Sequence, residues 1–82
     1  MLADVSKLIS LMQRVLSGEE ITHAEVYDAA WQAEGELARS AKEAWFELQH
    51  WTRDRDVREK DPGYGNQKKE RLRWLLGELE RG

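Results

Sequence analysis

Apolar residues recur along this chain at steps of three and four with polar and charged residues between them, the pattern of amphipathic helices. Val5, Leu8, Ile9, Met12, Val15 and Leu16 make a first stripe. Gly18 follows where a left-handed cap belongs, so a helix is predicted from near Asp4 to Ser17. Thr22 and Glu25 then stand in capping-box spacing, with Ile21 and Val26 placed as a hydrophobic staple, which fixes the start and phase of the next helix. From there Val26, Ala30, Ala33, Leu37, Ala41, Ala44, Leu48 and Trp51 fall on one line at about 100° per residue. Tyr27, Trp31, Ala38 and Trp45 form a second stripe roughly 80 to 130° round from it, so the apolar face is wider than one neighbour could cover.

Gly35 interrupts this pattern, since a glycine inside a helix costs about 1 kcal/mol relative to alanine and often marks a break. The seam nevertheless keeps its phase from Ala33 to Leu37, which favours one helix through residues 21–51 over two helices meeting at Gly35. A continuous helix would be about 45 Å long, and the surface its neighbours left uncovered would favour a homodimer. Only Glu19, Glu20 and Ile21 separate Gly18 from Thr22, a connection short enough to fold the first two helices into a hairpin. Residues 53–61 hold Val57 as their one apolar side chain and read as a solvated extension. Asp61, Pro62, Gly63, Tyr64 and Gly65 read as a stop, and Asn66 as the cap of a last helix with Leu72, Leu75, Leu76 and Leu79 buried and Trp74 off the stripe. The expected fold is all-α: a single domain over residues 1–82, built as a small antiparallel bundle of three helices with a long central one, or of four if that helix breaks at Gly35.

Composition narrows the chemistry. The 82 residues include no cysteine, which removes disulfides and thiolate metal sites, and no cofactor is expected. No apolar run approaches the roughly 20 residues of a membrane span, and the N-terminal stretch alternates polar and apolar groups, so a cytoplasmic protein is the expectation. His23 and His50 lie far apart on a continuous helix and in no metal-binding spacing, and Gly63 and Gly65 follow no strand that would make them a phosphate loop. An enzyme is not expected.

The net charge of −3 is unevenly spread: the first fifty residues carry −5 and the remainder +2. Arg53, Arg55, Arg58, Lys60, Lys68, Lys69, Arg71 and Arg73 cluster late in the chain. Asp54, Asp56, Glu59, Asp61 and Glu70 interleave with them, which argues against direct nucleic-acid binding. Glu25, Glu36, Glu43, Glu47 and Asp54 fall within a sector of roughly 40° on the central helix. They are either its solvated side or a face for a basic protein partner. Phe46, roughly opposite the seam, is either covered by the charged extension or available as an anchor for such a partner.

The opening VSKLISLMQRVLSGEEITHAEVYDAAW resembles that of the small bacterial immunity proteins related to the colicin D immunity protein: an apolar first helix, a short loop with an Ile-Thr pair, and a second helix carrying aromatics. AWFELQHWTRDRD, a turn and RLRWLLGELE likewise resemble the family's penultimate helix, its acidic exit and its last helix. The resemblance implies a four-helix antiparallel bundle that inhibits a basic nuclease toxin domain by placing carboxylates in its tRNA cleft. By position it assigns that role to Asp54 and Asp56. Gln49 and Thr52 stand where further carboxylates would be expected, and the family's longer connection between its second and third helices is missing around Gly35.

Overall fold

The computed structural model describes residues 3–81. Five helices follow one another: α1 (Ser6–Leu16), α2 (His23–Asp28), α3 (Gly35–Arg53), α4 (Arg55–Lys60) and α5 (Pro62–Arg81). Among the described residues there is no strand, only one antiparallel bridge in which Asp4 and Gln32 exchange both backbone hydrogen bonds, at 2.8 and 3.0 Å.

The local signals near the N-terminus form as expected. Gly18 takes φ +93°, its N–H donates to the Val15 carbonyl and that of Glu19 to the Arg14 carbonyl, the paired bonds of a Schellman stop. The Thr22 hydroxyl accepts the Glu25 N–H at 3.1 Å, and the Glu25 carboxylate accepts the Thr22 N–H at 2.9 Å. Ile21 and Val26, the staple pair, are both buried.

The long central helix does not form, which corrects the preferred expectation. Helix α2 ends at Asp28, the chain leaves helical geometry through residues 29–34, and α3 begins at Gly35 with φ +65°. The described residues therefore form five helices. Gly35 does mark the interruption, but as the first residue after a six-residue connection. Nothing in that connection forbids a helix; what opposes one is non-local. Gln32 pairs with Asp4, Ala29 is buried in the core, and the Trp45 indole N–H donates at 2.8 Å to the Val26 carbonyl at the end of α2. These contacts exist only if α2 turns back onto α3, and together they outweigh a helix propensity of a few tenths of a kcal/mol per residue. Helix α2 packs chiefly on α3, while the Arg14–Glu25 pair and the Asp4–Gln32 bridge keep it and its exit alongside α1. Of the expected seam, Ala30 lies exposed in the connection.

Helix α4 is the solvated extension foreseen from its composition, with Val57 exposed. Helix α5 begins earlier than expected. The Asp61 carboxylate accepts the N–H groups of Gly63 at 3.1 Å and Tyr64 at 3.3 Å, so Asp61 caps the helix with Pro62 in its first turn, and Asn66 lies inside it. Leu72, Leu75 and Leu79 of α5 join Leu8, Leu11, Met12 and Val15 of α1, Val26 of α2, and Ala41, Ala44, Leu48 and Trp51 of α3 in one buried cluster. The packing of α5 on α3 is the most extensive in the molecule, followed by that of α5 on α1. No helix among the described residues is long and apolar enough to cross a membrane.

The two glycines at the ends of this scheme give opposite expectations. Gly35→Ala places a side chain at φ +65° and should destabilise by about 1 kcal/mol, whereas Gly77→Ala, in the body of α5 with nothing within 4 Å of the new methyl, should stabilise by about the same amount. Urea unfolding followed by circular dichroism reads both.

Candidate protein interface

Once α2 folds back, its aromatics meet those of α3. The His23 ring lies edge-on to Tyr27 with centroids 4.3 Å apart, Tyr27 edge-on to Trp45 at 6.3 Å, Trp31 against Trp45 at 6.5 Å, and Trp45 beside Phe46 at 6.1 Å. Edge-to-face pairs at these separations each contribute about 0.5–1.5 kcal/mol beyond area burial. The network is only half covered: Tyr27 is 46% exposed and Phe46 44%. Polar bonds fix its base. The Thr52 hydroxyl donates to the Gln49 carbonyl, leaving its oxygen to accept from His23 Nδ1 at 2.8 Å, and Arg53 donates to the Tyr27 hydroxyl at 3.0 Å. His23 is thus half-buried.

The carboxylates singled out from the sequence are distributed differently. Glu25 lies on α2, away from the others, where Arg14 reaches it at 3.1 Å. Its hydrogen bond from the Thr22 backbone, and then the Arg14 guanidinium, hold it below the ordinary glutamate value. Glu43 pairs with Arg71, and Glu47 with Lys68 at 3.3 Å, both across the α3–α5 groove. Asp54, at the joint between α3 and α4, accepts the Tyr64 hydroxyl, and that bond, with burial second, raises the phenol above its ordinary value. Glu36 and Asp56 are exposed and take part in no ion pair among the described residues. Four of the five carboxylates on the expected acidic line therefore have partners within the chain. Gln49, where the resemblance leads one to expect a carboxylate, is 7% exposed, and an ionised group there would pay heavily for desolvation.

Five of the eight late cations are likewise engaged, Arg53 through the Tyr27 hydroxyl among them. Besides Lys68 and Arg71, Arg55 pairs with Glu59, and Arg58 lies 3.7 Å over the Trp51 ring while donating to the Trp51 carbonyl at 2.7 Å. Sequence reasoning missed this role of Arg58. The available signal was one arginine of a cluster standing seven residues after a tryptophan, which has no meaning until α4 turns. No group of three or more potential metal ligands occurs among the described residues. No protein-family model, curated protein or solved structure matches the chain.

The depressed Glu25 carboxyl links stability to acid. Its contribution is present above the ordinary glutamate range and is lost as pH falls through its lowered value. The thermal midpoint of Glu25→Gln should therefore fall less steeply on acidification than that of the parent, which circular-dichroism melts at a series of acidic pH values would measure.

Proposed function

We propose that the protein is a non-catalytic binding module, a stoichiometric inhibitor of the immunity type, which holds its partner through the aromatic surface of α2 and α3. The observation that carries this reading is the joint exposure of Tyr27 and Phe46 over a network fixed from beneath by Trp45 and at its edge by Arg53. Rigid, half-covered aromatics lose little conformational entropy on docking and are the residue types that dominate interface energies. The inhibitor part of the proposal comes from the sequence resemblance. A toxin nuclease domain is the partner class it brings, bound one to one.

One observation favours a second contact within the same reading. Asp54 is held by the Tyr64 hydroxyl and not by a cation, and Asp56 beside it on α4 is exposed. These two could engage a basic rim on the partner, whereas Glu25, Glu43 and Glu47 already face cations of their own chain.

Calorimetric titration of the purified chain against the nuclease domain of a toxin encoded beside its gene tests both parts. A 1:1 complex is expected. Phe46→Ala should weaken it at least about tenfold, or about 1.4 kcal/mol, and Asp54→Lys with Asp56→Lys by a smaller, salt-dependent factor. Binding indifferent to Phe46 would overturn the aromatic face. A concentration-dependent homodimer that Phe46→Ala dissolves would instead favour a self-associating adaptor.

A further inference from the structure

The exposed side of α3 that carries Phe46 is basic. Arg39, Lys42, Phe46, His50 and Arg53 are all exposed and follow at steps of three and four, within a sector of roughly 80° at about 100° per residue. The carboxylates of α3 fall in the neighbouring sector, beside α5, where Glu43 and Glu47 are paired to Arg71 and Lys68. The packing of α5 on α3 therefore sorts the charges of the helix: Glu43 and Glu47 face α5, and the cations are left outside. Arg39, Lys42 and Arg53 take part in no ion pair among the described residues, and the one hydrogen bond made by these side chains joins Arg53 to the neutral Tyr27.

We infer that this ridge binds an acidic amphipathic segment of a protein partner, whose apolar side covers Phe46 and Tyr27 and whose carboxylates meet Arg39, Lys42 and Arg53. The inference rests on α2–α3 being a protein interface and adds the chemistry of what docks there, an acidic segment at the ridge even where the rest of the partner is basic. The ridge from Arg39 to Arg53 is about 21 Å long, the length of four turns of helix. Charge complementarity selects carboxylates, because three cations and a large aromatic in line offer what an acidic helix with one apolar side presents. A nucleic acid is disfavoured by the net charge of −3, and by Glu36 and Glu43 bordering the ridge, which dilute the positive field that phosphates require.

The test uses the full chain with isotope labels and two helical peptides of about 20 residues that share leucine and phenylalanine positions, one with glutamate and one with lysine at the polar positions. Chemical shifts of Tyr27, Lys42, Phe46 and Arg53 should move with the glutamate peptide and not with the lysine peptide. Arg39→Glu with Lys42→Glu should weaken glutamate-peptide binding at least about tenfold. Lys60→Glu, an exposed cation on α4, should not weaken it. All substituted side chains are exposed, and unchanged melting curves would establish that folding is intact. Equal response to both peptides, or loss with Phe46→Ala but not with the charge reversals, would overturn the acidic partner while leaving the aromatic interface standing. Stronger binding of a single-stranded oligothymidine than of the glutamate peptide, or shifts confined to other helices, would overturn the inference as well. Shifts that follow protein concentration in the absence of peptide would assign the ridge to a second copy and also contradict it.

Discussion

The packing of α5 on α3 is the contact on which the other positions depend. Leu72, Leu75 and Leu79 are buried in the same cluster as Ala41, Ala44 and Leu48, and the two alanines let the helices approach closely. Truncating one of these leucines would cost about 2–5 kcal/mol, a large part of the roughly 5–10 kcal/mol that a domain of this size holds in reserve. Glu43–Arg71 and Glu47–Lys68 run along the edge of the same contact. As partly exposed pairs they add little energy, but they define which side of α3 faces α5. Once that side is assigned, the remaining perimeter is shared between α1, α2 and solvent, and the aromatic and basic ridge is what solvent receives.

The turn through residues 29–34 follows from the same constraint. A straight continuation of α2 would carry Tyr27 and Trp31 away from Trp45 and leave three large aromatics in water. Folding back exchanges a few helical hydrogen bonds for the Trp45–Val26 bond, the Asp4–Gln32 pair and the edge-to-face contacts of the aromatic network. The result is a surface with anchors of fixed orientation.

What could be read from the sequence was what depends on neighbours a few residues apart. The capping box at Thr22 and Glu25, the stop at Gly18, the leucine stripe of α5 and the exposure of Phe46 and Trp74 all follow from local spacing. The helical periodicity across Gly35 was genuine but misleading. Ala33 and Leu37 do pack against the core, yet from either side of the glycine and with only one of them in a helix. A helical wheel also shows which residues share a side without showing what faces it. Glu43 and Glu47 look free on the wheel because the cations that meet them lie more than twenty residues away. Arg58 on Trp51 and Trp45 on α2 escaped for the same reason, since each joins two elements whose approach is set by the core.

The reversal of α2 onto α3 builds the aromatic network and sets its exposed edge, and proton–proton distances can measure it directly. In a nuclear Overhauser spectrum of the full chain, the His23 ring should give cross-peaks to the Thr52 methyl group and the Tyr27 ring to the Arg53 side chain, matching contacts of 2.8 and 3.0 Å between their polar atoms. In an uninterrupted helix the first pair would be about 44 Å apart, so sequential helical connectivities through residues 29–34 with both cross-peaks missing would contradict the account.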